Sequence, residues 1–252
     1  ESPWGKSPGG NGGGPGKRTS PPNIDETLDE NGLVNPDIKP ETGINYEIGV
    51  LGSSKNDNIS YNINMYYMDI KNLLVAQRTD FDTFTGVNAG RTSHPGVETT
   101  INLQLLKSQN LNITSSNNFS KYWYIFKDFN NRGTDYSQNK LTGVPSHTIF
   151  SKININLKNY LAQISFQNIG RIPMNDANEL FSDAYSVVDF TISKHFSFNN
   201  FDIHILSGIK NLFDKKYASG IVINARGFGG RDPRYYYPGL PRNYFISLKL
   251  SI

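Results

Sequence analysis

Apolar and polar residues alternate with a period of two along most of the chain after residue 43. This period is typical of a β-strand that has one apolar face, and no segment carries a helical stripe. In the clearest stretch the apolar members are Ile59, Tyr61, Ile63, Met65 and Tyr67. The alternation predicts about nine strands, at 43–53, 59–78, 84–106, 111–127, 144–157, 160–172, 185–197, 201–213 and 241–252.

The connections between these strands differ in length in a regular way. Short connections rich in Asn, Lys and Ser are predicted at 54–58, 107–110, 158–159 and 198–200. Longer ones are predicted at 128–143, 173–184 and 214–240, with an intermediate one at 79–83. Tight turns at one end and extended loops at the other are typical of outer-membrane barrels, whereas a soluble sandwich has no reason to sort its loops in this way. Many strands also exceed the roughly 9–11 residues that cross a bilayer at a tilt.

The tight turns fix which side chains lie opposite each other. The turn at Asn199–Asn200 pairs Phe196 with Ile203, and His195 with His204. The turn at Lys158–Asn159 gives the pairs Leu157 with Tyr160, Ile155 with Ala162, and Ile153 with Ile164. One face of each hairpin is apolar and the other is mostly polar, which fits a sandwich core as well as a lipid-facing wall.

Strand length and loop order favour the membrane interpretation. We therefore predict an all-β fold, an antiparallel up-and-down transmembrane β-barrel. The side chains predicted to face lipid are Ile155, Ile164, Phe190, Ile192, Ile203, Ile246 and Leu248. The side chains predicted to line the interior include Asn62, Asn64, Asn102, Gln104, Lys152, Gln163, Asp189 and Lys249.

Composition narrows the alternatives further. The net charge of +3 is small and scattered, so nucleic acid is not an expected partner. The absence of cysteine excludes disulfides and thiolate metal sites. Aromatic residues make up 12% of a chain in which only 37% of residues are hydrophobic, a balance that suits strands with one polar face.

The first part of the chain has a different character. Residues 1–22 are rich in Gly and Pro, and we expect 1–42 to be a flexible segment followed by an outer loop, with the barrel part spanning 43–252. A phosphate-binding loop would require a preceding strand and a following helix, and neither is predicted. No signal peptide and no apolar run long enough for a transmembrane helix is present in the sequence, and we expect the chain to be truncated.

Several blocks, taken in order, resemble the barrels of TonB-dependent receptors. They are Ser20-Pro21-Pro22 with Glu26-Thr27-Leu28 and Asn35-Pro36-Asp37, Lys39–Gly49, Tyr66–Val75, Asn88-Ala89-Gly90 with Gly96-Val97-Glu98, Asn211–Tyr217, and Pro238–Arg242. The resemblance runs from about residue 20 to the C-terminus and leaves out the Gly-rich start. Two features depart from the family: the chain ends on Ile252 rather than on an aromatic residue, and no plug domain is present in it.

The resemblance implies an outer-membrane receptor of a Gram-negative bacterium that takes up a ferric siderophore or another scarce nutrient such as a cobalamin. TonB would supply the energy through an N-terminal part, and the other partners would be the nutrient chelate and outer-membrane lipid. Such barrels have about 22 strands and a plugged lumen, so these strands are expected to be the C-terminal ones of a larger barrel. Packing their polar faces into a dry small barrel would leave charges unpaired.

Loop 214–240 carries the candidate ligand-binding residues Arg226, Arg231, Arg234, Tyr235, Tyr236 and Tyr237. Counting back from a last strand that ends at the periplasm places this loop outside the cell. Arginine forks and tyrosine rings suit an anionic, partly aromatic chelate, but a membrane-edge girdle with solvated arginines has the same composition.

Other sites receive little support from the sequence. His195 and His204 face each other, yet two histidines lack the third or fourth ligand of a tight metal site, so hydrogen bonding is expected instead. We predict no cofactor, no metal and no catalytic residues, because Ser93-His94 and Ser146-His147 are merely adjacent in sequence. The rival functions are a soluble carbohydrate-binding β-sandwich and an outer-membrane enzyme on a smaller barrel.

Overall fold

The computed structural model describes residues 16–20, 33, 35–78, 84–131, 133–199, 201–227 and 230–251. Its fifteen strands, in chain order, are β1 (Gly16–Ser20), β2 (Glu41–Ser53), β3 (Ile59–Arg78), β4 (Phe84–Lys107), β5 (Leu111–Tyr122), β6 (Ile125–Asp128), β7 (Asn130–Asn131), β8 (Thr134–Asp135), β9 (His147–Leu157), β10 (Tyr160–Ile169), β11 (Tyr185–Ser197), β12 (Asp202–Lys210), β13 (Ala218–Ile221), β14 (Tyr236–Pro238) and β15 (Asn243–Ser251). Within these ranges no helix is long and apolar enough to cross a membrane. The predicted connection 79–83, the terminal Ile252 and the parts 1–15 and 21–32 of the segment predicted to be flexible lie outside the described residues.

One antiparallel sheet holds most of the chain. Its strands follow the order β1-β2-β3-β4-β5-β9-β10-β11-β12-β15, with β6 also paired to β4. Neighbours along this path are neighbours along the chain, apart from the small elements that belong to the long loops. The up-and-down antiparallel order predicted from the alternation is confirmed, and a two-layer sandwich does not fit a single continuous sheet.

The two predicted hairpin registers are also confirmed. Phe196 lies opposite Ile203 and His195 opposite His204, while Ile153 lies opposite Ile164. Register across five neighbouring strands then builds continuous rows, one of which is Ile155, Ala162, Ile192, Ser207 and Ile246. Because directly opposed residues share a face, all seven side chains predicted to face lipid lie on one side of the sheet, called here the apolar face.

The apolar face is left uncovered by the described residues. Ile246 is 77% exposed and Ile192 is 41% exposed, although both belong to regular strands. On the opposite, polar face, side chains bond to each other across strands: Asn64 donates to Glu47 over 2.6 Å, and Ser116 donates to Asn102 over 2.7 Å. The sheet therefore exposes apolar side chains and pairs polar ones, the reverse of what a water-soluble sheet needs.

The structure corrects the predictions for two segments and shifts the other strand boundaries by a few residues. The strand predicted at 111–127 is interrupted at Trp123, whose N–H donates to Pro95 O, and the chain then crosses to pair β6 with β4. Residues 16–20, predicted to be flexible, form β1 against β2. Strand pairing is made by backbone hydrogen bonds, so the Gly-rich composition of this segment did not predict it. The remaining boundaries shift by a few residues; for instance β12 ends at Lys210, because Asn211 has a left-handed φ of 51°.

A small apolar core lies where the loop after β5 folds back. Ala89, Phe126, Phe129 and Leu141 are buried together, and the rings of Phe126 and Phe129 stack with centroids 4.7 Å apart. This core orders the connection between β5 and β9, which also contains the β7–β8 hairpin.

Candidate functional site

The three long loops meet at one end of the sheet. They are called loop A (129–146), loop B (170–184) and loop C (211–242). Backbone bonds join them: Gly143 N–H of loop A donates to Pro173 O of loop B over 2.9 Å, and Asn224 N–H of loop C donates to Met174 O of loop B over 2.8 Å. Loop B therefore lies between the other two and contacts both.

Asp176 in loop B connects all three loops through its side chain. Its carboxylate accepts the Thr142 hydroxyl of loop A over 2.5 Å and the Asn224 amide of loop C over 3.1 Å. Its backbone oxygen accepts from Asn139 of loop A over 2.7 Å, and its N–H donates to Asn224 Oδ1 over 3.1 Å. Asp176 is only 9% exposed, so these partners replace the water that an ionised carboxylate requires.

A second clamp joins loops A and B beside Asp176. The Asn178 side chain accepts from Lys140 N–H over 2.7 Å and donates to Lys140 O over 2.9 Å. Asn178 has a positive φ of 56°, a conformation that asparagine tolerates better than most residues. The two clamps explain why Asn and Asp are concentrated in loop B.

A pocket of about 210 Å³ opens where the three loops join. Its lining combines amides, two phenol rings, one arginine and one carboxylate: Asn131, Tyr136, Asn175, Asp176, Ala177, Asn224, Ala225, Arg226 and Tyr235. Both carboxylate oxygens of Asp176 are already engaged, and Arg226 is the one cationic side chain of the lining. Such a lining can hold a polar ligand by hydrogen bonds and can receive one anionic group at the guanidinium.

The structure brings together only part of the predicted site. Arg226 and Tyr235 line the pocket, whereas Arg231, Arg234, Tyr236 and Tyr237 are exposed and lie outside the lining. Tyr236 and Tyr237 belong to β14, which pairs with β13 within loop C. The pocket residues missed by the sequence analysis are Asn131, Tyr136, Asn175, Asp176 and Ala177 of loops A and B, together with Asn224 and Ala225 of loop C. The alternation of short and long connections along the chain could have indicated these residues, because it places all three long loops at one end of the sheet.

Two of the sequence blocks hold the base of loop C together. Asn211, only 2% exposed, donates its amide to Lys215 O over 2.9 Å and to Leu240 O over 3.0 Å. Arg242 N–H donates to Asp214 over 2.8 Å. The block Asn211–Tyr217 and the block Pro238–Arg242 therefore bind each other, and their shared role is to fix the two ends of the loop.

Gly239 makes the tightest approach in this base. A Cβ at Gly239 would lie 2.3 Å from the Tyr217 ring, and its N–H donates to Tyr217 O over 2.8 Å. We expect Gly239→Ala to destabilise the protein by about 1–3 kcal/mol through overpacking, as measured by thermal unfolding. Gly220→Ala in the same loop is the matched control, since its Cβ would be 3.4 Å from Tyr237 in ordinary contact. Equal melting temperatures for the two variants would show that the Tyr217 ring moves aside without any loss of stability.

Ionisable groups of loop A and of the bend before it have ordinary structural explanations. The Ser137 hydroxyl and backbone N–H donate to Asp135 and lower the pKa of this carboxyl. Burial raises the pKa of Tyr124, which keeps its phenol protonated. Neither group lines the pocket.

The histidine and serine candidates act within the sheet. His195 Nε2 lies 3.4 Å from Asp202, next to His204, and no group of three or more potential metal ligands occurs in the part of the chain that the structure describes. Ser146 Oγ lies 3.1 Å from His147 Nδ1, a contact that adjacency in the sequence did not by itself indicate. The other ring nitrogen contacts the Asn168 amide over 2.8 Å, which links β9 to β10.

One family of known proteins matches most of the chain. The sequence profile of the family described as TonB dependent receptor-like, beta-barrel matches residues 9–212. The match begins within the Gly-rich start, which corrects the expectation that the resemblance begins near residue 20. It ends inside the block Asn211–Tyr217.

Solved structures of similar fold cover nearly the whole chain. The ferric yersiniabactin uptake receptor FyuA from Yersinia pestis is 18% identical with a TM-score of 0.64, and the alignment covers 94% of this chain and 33% of the FyuA chain. The copper transporter OprC is 15% identical with a TM-score of 0.70, covering 94% and 36%. A mutant of the ferric enterobactin receptor PfeA from Pseudomonas aeruginosa, in complex with enterobactin, is 17% identical with a TM-score of 0.67, covering 95% and 38%. The chain thus spans about a third of the length of these proteins, and its sheet is part of a barrel wall.

Proposed function

The chain belongs to the TonB-dependent receptor-like β-barrel family, and from that premise we propose that it is part of a receptor that imports a ferric siderophore or a comparable scarce nutrient. The receptor lies in the outer membrane of a Gram-negative bacterium and draws energy from TonB. The observation that carries this proposal is the joining of loops A, B and C around one pocket at one end of a barrel-wall sheet.

The similar structures support a nutrient of this class. They include receptors for ferric yersiniabactin and ferric enterobactin and a copper transporter. All are transport proteins, which favours a carrier over the rival interpretation of an outer-membrane enzyme. The copper transporter keeps the substrate class wider than iron chelates alone.

This chain supplies three parts of the proposed receptor. The apolar face meets lipid, because its exposed aliphatic side chains have no other partner among the described residues. The polar face lines a wet lumen, where the bonded pairs on neighbouring strands tolerate water. Loops A, B and C lie outside the cell, while a plug and the segment that contacts TonB come from the rest of the receptor.

Ligand capture begins at the rim of loop C. Four exposed side chains of loop C, Arg231, Arg234, Tyr236 and Tyr237, first meet an anionic, partly aromatic chelate. Arg226 and Tyr235 then hold it at the pocket. In this arrangement the exposed arginines chiefly speed encounter, and the pocket arginine chiefly slows release.

We expect Arg226→Ala to weaken nutrient binding by about 1.5–3 kcal/mol, or roughly 10- to 150-fold, because it removes one charge-assisted contact. The double variant Arg231→Ala/Arg234→Ala is expected to weaken binding less and mainly to lower the association rate. Stopped-flow fluorescence on the full-length receptor separates the two rates.

Lys158→Ala is the control, since it removes a cation at the opposite end of the sheet, in the turn between β9 and β10. Unchanged affinity in both arginine variants would leave loop C as rim structure and remove the binding assignment.

A further inference from the structure

Three basic side chains lie together on the apolar face, just beyond its aromatic boundary. Tyr67 lies opposite Tyr46, two aromatic residues on neighbouring strands. Four residues further along β3, Lys71 lies opposite Arg91 of β4. Since alternate residues of a strand share a face, Lys71 and Arg91 lie on the same side as Tyr67.

Lys127 of β6 joins them from the third strand. Its Nζ lies 3.0 Å from the Tyr67 hydroxyl and 5.7 Å from the centre of that ring. Lys127 occupies the position where the pairing between β4 and β6 shifts register, which turns its side chain toward β3. The basic cluster is therefore defined as Lys71, Arg91 and Lys127.

One carboxylate lies within the basic cluster and is already occupied. Asp69 binds Arg91 through both of its oxygens, with Arg91 Nε donating over 2.8 Å. Within the part of the chain that the structure describes, Lys71 and Lys127 are the two members of the basic cluster that bond to no carboxylate. The net charge of the basic cluster together with Asp69 is therefore +2.

The height of the basic cluster matches a membrane surface. From Ile59 to Tyr67 the apolar side chains of β3 follow one another for about 26 Å along the strand, or about 20 Å in height at a tilt of about 40°. Lys71 lies about 10 Å higher, just beyond the roughly 25 Å apolar band of outer-membrane barrels. The basic cluster begins directly after that stretch, where lipid headgroups would lie if the apolar face meets lipid.

We propose that the basic cluster binds the phosphate-bearing headgroup of an outer-leaflet lipid. The two ammonium groups above an apolar wall offer a phosphate charge-assisted bonds while the acyl chains rest on the aliphatic rows below. Arg91 adds positive charge beside them, although Asp69 occupies its guanidinium fork. Tyr67 adds a hydroxyl donor at the junction. This inference rests on the proposed membrane placement of the apolar face but not on nutrient binding.

The test uses the full-length receptor in phosphatidylcholine vesicles that contain either diphosphorylated lipid A or the same lipid with both phosphates removed. Native mass spectrometry after extraction measures how much of each lipid stays bound. The wild type is expected to retain the phosphorylated form preferentially, and Lys71→Gln/Lys127→Gln is expected to lower that preference about thirtyfold, the factor that two cations near an anionic surface supply.

Two further variants sharpen the outcome. Lys55→Gln/Lys158→Gln removes the same charge from the short turns at the other end of the sheet and is expected to change nothing. Asp69→Asn releases Arg91 from its carboxylate and is expected to increase retention. An equal retention of both lipids by the wild type overturns the proposal, and so does an undiminished preference in the double lysine variant. Displacement of the lipid by inorganic phosphate would assign a free-anion site instead. The assay contains neither nutrient nor TonB, so its failure leaves the proposed uptake untouched.

Discussion

Replacing Ile164 with arginine is expected to destabilise the receptor in a lipid bilayer by about 2–4 kcal/mol, the cost of a cation at the middle of a lipid-facing barrel strand. Ile164 is near the midpoint of β10, is 40% exposed, and lies between Ile153 and Phe190 on the apolar face. An arginine there has no carboxylate within its row to pair with.

The neighbouring position provides a matched control. Gln163 points to the polar face, between Asn154 and Thr191, so Gln163→Arg introduces the same side chain into the lumen lining. Urea titration of the full-length receptor folded into lipid vesicles gives both free energies of unfolding. If Gln163→Arg proves the more costly change, the assignment of the two faces is inverted, since a slip of one residue exchanges them.

Asp176→Ala is expected to uncouple the three loops. The change leaves the partly buried Thr142 hydroxyl and Asn224 amide without their acceptor, at about 1 kcal/mol for each group. Nutrient affinity should fall about a hundredfold, because Arg226 and Tyr235 reach the pocket from a loop that this carboxylate holds in place. Asp176→Asn retains one acceptor and is expected to give an intermediate loss.

Hydrogen exchange makes this prediction independent of the ligand. The amide of Asn224, bonded to Met174 O, should exchange faster in Asp176→Ala than in the wild type. Asp183→Ala removes an exposed carboxylate from the same loop and serves as the control. Unchanged protection at Asn224 would show that the backbone bonds alone hold the loops together, and Asp176 would lose its connecting role.

Most of the sheet was predictable because its strands and turns are determined by residues that are close together in the sequence. Period-two alternation and short turns determine the register, so the pairing of His195 with His204 and of Ile153 with Ile164 followed from two turn positions. The strands missed or misread are those whose pairing depends on distant partners. β1 pairs with residues of β2 that are distant in the sequence, and the interruption at Trp123 follows from its bond to Pro95.

The pocket was predictable only in part. Loop C was identified from its arginines and tyrosines, which are chemically conspicuous. Asp176 and Asn178 of loop B were not, because an isolated Asn or Asp in a loop is usually a turn residue. Their importance arises from partners in loop A and loop C, such as Thr142 and Asn224, that sequence spacing does not relate to them.

Uptake by living cells tests the central claim most directly. Iron-starved cells carrying the full-length receptor are given a panel of radiolabelled ferric chelates, together with copper as a second nutrient. The strains compared are the wild type, a receptor deletion and a TonB deletion. At least one nutrient is predicted to accumulate in the wild type and to be lost in both deletions. Accumulation that requires the receptor but persists without TonB would contradict the energy source, and no receptor-dependent accumulation of any nutrient in the panel would contradict the transport function itself.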